Sequence, residues 1–171
     1  MAKVKIELKN GKCMNVLINE EEAPISAQNF LKYVDDGFYN GMVFHRVIPM
    51  FMIQGGGFTD DEPGLLEKKA TYPPIKGEFL SNGVKNGIKH KKGVISMART
   101  FVKNSATSQF FICVADCSYL DGEYAAFGSL CDEESLKVAT QISEVSTHSW
   151  RGYDDIPDDP VVIKRIVRID E

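Results

Sequence analysis

The chain is punctuated into short apolar runs of strand length, and two of those runs stand at its two ends. Val4, Ile6 and Leu8 alternate with charged neighbours, Asn10-Gly11 supplies a turn, and Cys13–Ile18 follows as a second apolar stretch. That pattern reads as a hairpin. Further runs fall at Val43–Ile48, Phe51–Gln54, Gly93–Ala98, Gln109–Ala115 and Ala125–Leu130, separated by loops rich in Gly, Pro, Asn and Asp, and Val161–Ile169 closes the chain. Two segments change period. Pro24–Asp36 carries Ala27, Phe30, Leu31 and Val34 on one helical face, with Pro24 suited to a first turn and Gly37 to a stop. Glu133–Val145 follows Asp132, a good cap, and places Leu136, Ala139, Ile142 and Val145 at helical spacing. Residues 146–160 read as an acidic, Pro-containing loop. Many short strands with two helices predict a barrel or sandwich whose open ends the helices cover. In a closed barrel the first and last strands pair with each other and leave no free edge. The 171 residues fit one domain.

Several function classes fall away. The net charge of −4 argues against non-specific nucleic-acid binding, which needs a basic face. The longest apolar run, Phe110–Ala115, is far short of the ~20 residues that a membrane helix requires. The N-terminal segment alternates charge with apolar residues and has no signal-peptide core, so a cytoplasmic location is expected. Cys13, Cys113, Cys117 and Cys131 lack the paired spacing of a zinc site and read as reduced thiols, either small apolar fillers or redox groups. There is no G-x-S-x-G elbow and no catalytic-cysteine signature.

Two segments remain as candidates for chemistry. In the first, Arg46 is a single permanent cation within an apolar run, and Phe51, Met52 and Gln54 follow before Gly55-Gly56-Gly57. On a regular strand Phe44 and Arg46 would share one face and His45 the other. Arg46 then either reaches water at a strand edge or stands at the wall of a pocket, because an unpaired buried charge is costly. The three glycines match no phosphate-loop pattern and precede Thr59-Asp60-Asp61-Glu62, which repels phosphate; they read as a turn or a close backbone approach. In the second segment Gln109, Phe111 and Cys113 share one face, and Phe110, Ile112 and Val114 the other. Phe111 is then either core or the wall of a shallow apolar pocket with a polar fixer beside it. His45, His90 and His148 are far apart, and His45 reads as structural. Lys85, Lys89, His90, Lys91 and Lys92 form a basic cluster, read as a solvated loop or as a contact for an acidic partner or RNA.

Phe44-His-Arg-Val-Ile-Pro-Met-Phe-Met-Ile-Gln-Gly-Gly56, Gly93-Val-Ile-Ser-Met-Ala98, Ser108-Gln-Phe-Phe-Ile112, Tyr119-Leu-Asp-Gly122 and Phe127-Gly128 together resemble the signature blocks of the cyclophilins, a family of peptidyl-prolyl cis-trans isomerases. The blocks stand in family order, and Met97-Ala-Arg-Thr100 with Ser105-Ala-Thr107 resembles the bacterial cytosolic members. The resemblance implies a mainly β fold, a closed eight-stranded antiparallel barrel capped by two helices, formed by residues 1–171 as one domain. It implies a site on the outer barrel surface. Arg46 would be the catalytic group there and Gln54 the contact to the substrate backbone. Phe51, Met52, Phe111 and Leu120 would hold the proline ring, with Ala98, Gln109 and Tyr124 around them and Tyr119 at the rim. The implied partners are Pro-containing peptides and folding proteins, met by a monomer without metal or cofactor. Tyr119 stands where many eukaryotic members have tryptophan, so only weak cyclosporin binding is expected. Tyr124 stands where many members have histidine. A proline-binding module, and a chaperone or RNA-associated role through Lys85–Lys92, are the competing expectations.

Overall fold

The computed structural model describes residues 1–61, 64–68 and 70–169. Strands β1 (Ala2–Leu8) and β2 (Cys13–Ile18) form the opening hairpin. Val4 faces Val16 and Ile6 faces Met14, all fully buried, so strict alternation sets the register. Helix α1 (Pro24–Asp35) buries Ala27, Phe30, Leu31 and Val34, and the chain leaves it through Gly37 at φ 68°. Its first turn has no cap of its own; the Ser26 and Ile25 amides instead donate to the buried Glu78 carboxylate at 2.6 and 3.2 Å. Then come β3 (Arg46–Ile48), β4 (Met52–Gly55), β5 (Phe58–Asp61), β6 (Gly64–Glu67), β7 (Val94–Met97), β8 (Phe110–Cys113) and β9 (Ala126–Leu130). Helix α2 (Glu133–Ser143) is capped by Asp132, which accepts from the Ser135 amide at 2.7 Å. Strands β10 (Thr147–Trp150), β11 (Tyr153–Pro157) and β12 (Ile163–Arg168) complete the chain.

Eight of these strands form one curled antiparallel sheet in the order β12-β1-β2-β9-β7-β8-β4-β3. The first and last strands pair as expected, with Ile6 opposite Ile166. Backbone bonds draw the sheet's two ends together ahead of β3: Val43 bridges Val162, Phe44 N–H donates to the Val161 carbonyl at 3.1 Å, and Ile163 N–H to the Met42 carbonyl at 2.7 Å. The interior is aromatic. Phe30 meets Phe110 edge-on at 5.4 Å and Phe127 at 5.2 Å, and Phe44 meets Phe110 edge-on at 6.0 Å.

Four readings need correction. α2 ends at Ser143, and Val145 lies beyond it, exposed. Residues 146–160 are not a plain loop: β10 and β11 pair as a hairpin around Arg151-Gly152, both at positive φ. A second small hairpin, β5–β6, also escaped the pattern. Thr147, His148 and Ser149 are exposed, as are Asp60 and Asp61, so neither hairpin shows a continuous apolar face. Finally, the run Val43–Ile48 is a strand only from Arg46. The irregular step at Phe44-His45 lets Phe44 enter the core while Arg46 faces outward, against the expected shared face.

Candidate active site

Register across the sheet assembles the site. Arg46 on β3 is directly opposite Gln54 on β4, Gln54 is opposite Phe111 on β8, and Phe111 is opposite Ser96 on β7. These four residues make one row across four strands. The alternate residues of the same strands, Val47, Ile53, Ile112 and Ile95, are all in the core. The outer face carries its own small apolar cluster, Met52, Phe111, Cys113 and Cys117, with Phe51, Ala98, Leu120 and Tyr124 packed on it.

Above this cluster lies a pocket of about 170 Å³ lined by Arg46, Phe51, Met52, Gln54, Ala98, Arg99, Phe111, Leu120 and Tyr124. Eight of the ten expected site residues therefore meet in one cavity. Gln109 stands one step behind: Arg46 Nη1 donates to Gln54 Oε1 at 3.4 Å, and Gln54 Nε2 donates to Gln109 Oε1 at 3.0 Å. The Gln109 side chain lies over Gly57, where an added Cβ would come within 2.5 Å of its Cγ and Cδ. Tyr119 is at the rim, two-thirds exposed, its ring 5.9 Å from that of Phe51. Among the described residues, no carboxylate pairs with Arg46. Arg46 lines the cavity, which makes it a pocket wall and not a bare strand edge.

Two functional neighbours were not legible. Arg99 donates from Nε and Nη2 to the Glu123 carbonyl at 3.1 and 2.6 Å and from Nη1 to the Thr100 carbonyl at 2.9 Å. Its guanidinium lies over the rings of Tyr124 and Phe79 at 4.7 and 4.8 Å, so it braces the pocket wall. His90 does not belong to the basic surface at all. Lys85, Lys89, Lys91 and Lys92 are exposed, whereas His90 is buried behind Phe111. Asp121 Oδ1 accepts both from the His90 backbone N–H at 2.7 Å and from the ring at Nδ1, 2.9 Å. A carboxylate only accepts, so Nδ1 carries the proton and Nε2 accepts from the Ser96 hydroxyl at 3.0 Å. Burial holds the His90 pKa below the ordinary value against the pull of Asp121. Burial also works to raise Asp121, but the two His90 donors and Lys89 outweigh it and hold the carboxyl below its usual range.

The remaining titratable groups have structural surroundings. His45 is buried with Nδ1 unpartnered, its ring 4.4 Å from Phe58, and burial with the adjacent Arg46 charge lowers its pKa to about 4. It is neutral filling, as expected, and not a base aimed at the pocket. Cys113 and Cys117 are buried in the apolar cluster, and burial together with the Cys117 thiol pushes Cys113 far up, away from thiolate. All four cysteines are free.

The family model described as cyclophilin type peptidyl-prolyl cis-trans isomerase/CLD matches residues 3–168. This chain belongs to that family. Among its relatives, peptidyl-prolyl cis-trans isomerase A of Dickeya dadantii is 46% identical over 156 residues, covering 88% of this chain and 76% of the relative. Peptidyl-prolyl cis-trans isomerase cyp18 of Streptomyces antibioticus is 40% identical and covers 96% of each. A solved cyclophilin of Cryptosporidium parvum, crystallised in the presence of the dipeptide Ala-Pro, superposes with a TM-score of 0.77 at 26% identity over 99% of both chains. The cyclophilin fold is thus the curled sheet and two helices described above.

Proposed function

We propose that this cyclophilin catalyses rotation about X-Pro peptide bonds in folding polypeptides, with Arg46 as its catalytic group. The observation that carries the reading is the position of the Arg46 guanidinium: without a carboxylate partner among the described residues, it closes one side of a pocket whose other walls are Phe51, Met52, Phe111 and Leu120. A proline ring is an apolar wedge that suits those walls, and the Ala-Pro dipeptide used with the Cryptosporidium relative is the minimal ligand of that type.

Amide resonance sets a rotation barrier of roughly 18–20 kcal/mol. Twisting the X-Pro bond removes the overlap between the proline nitrogen lone pair and the carbonyl, and the nitrogen becomes a hydrogen-bond acceptor. A guanidinium donor placed there stabilises the twisted amide more than either planar isomer, which is catalysis by differential binding. Acceleration from about 10⁻² s⁻¹ to about 10³ s⁻¹ needs roughly 7 kcal/mol. One charged hydrogen bond in a partly desolvated site supplies about 3–4 kcal/mol of this, and holding the ring in the reactive geometry supplies the rest. The Arg46–Gln54–Gln109 chain fixes the guanidinium on one side and orients the Gln54 amide for the substrate backbone. The reaction moves no proton to or from the enzyme and calls for no metal or cofactor.

The same reading makes residues 1–171 one catalytic domain acting as a monomer in the cytoplasm on Pro-containing segments, with no part for nucleic acid and only weak cyclosporin binding. Among the described residues no helix is long and apolar enough to cross a membrane. The deciding experiment is cis–trans exchange of an Ala-Pro-Phe peptide by NMR, wild type beside Arg46→Ala. Fast exchange that falls at least about tenfold in the folded variant supports the assignment. Binding without accelerated exchange would make the chain a proline-recognition module instead.

A further inference from the structure

Beside the proline pocket, and sharing Arg99 and Tyr124 with it, lies a second, shallower groove of about 630 Å³ whose walls include Thr100, Phe101, Tyr119 and Glu123. The apolar side chains around it are unusually open. Phe101 is fully exposed, Val102 and Tyr119 are about two-thirds exposed, and Leu80, packed beside Gly122, is 70% exposed. Single exposed apolar residues are ordinary, but a contiguous patch next to a ligand pocket marks a contact surface.

The loop that presents Phe101 and Val102 is braced. Thr100 N–H donates to Ser105 Oγ at 3.0 Å, Val102 N–H to Thr100 Oγ1 at 3.2 Å, and the Ser105 hydroxyl to the Val102 carbonyl at 2.6 Å. Asn104 Oδ1 ties its base down by accepting from the Gly77 amide at 3.0 Å and the Asn82 side chain at 2.8 Å. These bonds keep Phe101 out of the protein's own core and hold it in water.

The charges around the groove are already engaged. Arg99 is committed to two carbonyls and two rings. Lys103 Nζ donates to the Ser81 carbonyl at 2.7 Å, and Glu123 accepts from the Ser81 hydroxyl at 3.0 Å. What the groove offers an incoming chain is therefore aromatic and aliphatic surface.

We propose that this groove is a second recognition subsite that takes an apolar side chain flanking the proline in the substrate polypeptide, with Phe101 on its wall and the exposed Val102 next to it as its specificity-determining residues. The proposal rests on the isomerase reading, because continuity with the proline pocket places the occupant on the same chain. Arg99 and Tyr124 line both cavities, so a peptide whose proline fills the first pocket reaches the groove by passing them. The enzyme then selects prolines that lie close to apolar residues, the segments that an unfinished fold exposes.

The test is NMR exchange on an all-alanine heptapeptide with a central Ala-Pro bond, and on a set in which leucine replaces each flanking alanine in turn. Wild type and a Phe101→Ser, Val102→Ser double variant are compared, with circular dichroism confirming the fold. Wild type is expected to favour leucine at one flanking position by about tenfold in kcat/KM, the scale of burying one aliphatic side chain. The double variant is expected to keep the wild-type rate on the all-alanine peptide while its leucine preference falls below about twofold, since the Phe101 wall and the apolar surface next to it are gone. Peptide binding followed from the amide shifts of residues 100–105 separates the two levels. Loss of turnover on the all-alanine peptide by wild type counts against the isomerase reading. Alanine and leucine peptides bound equally by wild type, or a leucine preference that survives in the double variant, overturn the subsite. A wild-type dimer in sedimentation that the double variant disperses makes the patch a contact between copies, and overturns it as well.

Discussion

The His90 imidazole lies beneath the Phe111 ring, 15° from parallel and 6.1 Å from it centre to centre. Tyr124 meets the same phenyl edge-on at 87° and 5.6 Å. Phe111 thus has a ring behind it and a ring beside it, and its open side faces the pocket. Asp121 and Ser96 hold the imidazole at both nitrogens, so the pocket floor is fixed through a buried polar chain.

Removing the imidazole should therefore loosen the floor. His90→Ala leaves a void behind Phe111 and strips Ser96 and Asp121 of their ring partners. The expected cost is about 2–4 kcal/mol in urea unfolding, the range for a small buried void with lost hydrogen bonds. In conditions where the variant is still folded, kcat/KM should fall about tenfold, as expected when a supporting residue lets a site relax by a fraction of an ångström. Unchanged turnover in a destabilised but folded variant would show that the stack supports the fold and not the pocket.

Gly57 carries a smaller and more specific expectation. A Cβ there would press on Gln109 Cγ and Cδ. Gln109 is flexible and can swing away, so Gly57→Ala should cost about 1 kcal/mol of stability, the low end for overpacking. The swing breaks the bond to Gln54 Nε2, and Gln54 then loses one of the two contacts that orient its amide. An activity loss of about three- to tenfold is expected, the worth of one modest hydrogen bond. In a double-mutant cycle with Gln109→Ala the two effects should not add, because both remove the same contact. Additive losses would mean that Gly57 acts by another route.

How far the molecule could be read in advance varied with where each residue's partners lie. The terminal strand pairing was legible because Val4, Ile6 and Leu8 alternate without interruption. The pocket lining was legible because its residues sit in compact blocks at family-like spacing. Phe44 and Arg46 were misplaced relative to each other because two irregular residues break a period of two, and no propensity marks that break. His90 looked like part of a basic loop because its true neighbours, Ser96 and Asp121, are brought to it only by tertiary folding. Arg99 has no role legible in the sequence for the same reason: Phe79, Glu123 and Tyr124 engage it only in three dimensions. The β10–β11 hairpin turns exposed polar residues to solvent and gives the period nothing to register.

Tyr119 sets an expectation for cyclosporin. Its ring stands at the rim near Phe51, exposed on its outer side. A tryptophan in that place offers an indole N–H that the tyrosine cannot provide in the same direction. The wild-type chain should bind cyclosporin weakly, and Tyr119→Trp should tighten binding about tenfold, the equivalent of one hydrogen bond with added ring contact. Calorimetric titration of the two proteins side by side measures it. Nanomolar binding by wild type would show that the indole donor is not needed here.

His45 makes stability depend on pH in a defined window. In the unfolded chain its pKa is near 6.5; in the fold, burial first and the Arg46 charge second lower it to about 4. Between those values the unfolded state binds a proton that the folded state refuses, so unfolding gains from acid. The stability is fully present above pH 6.5 and is lost progressively as pH falls toward 4. A shift of about 2.5 units corresponds to about 3 kcal/mol at the bottom of the window. His90, also held low by burial, adds loss of the same sign below pH 6.5. The separation of the two is made with His45→Phe, which keeps an aromatic ring against Phe58 and removes both the titration and the unpartnered Nδ1. Urea midpoints measured from pH 7 to pH 4 should fall more steeply for wild type than for the variant, and the difference should open below pH 6.5. Parallel curves would place the acid sensitivity elsewhere than His45.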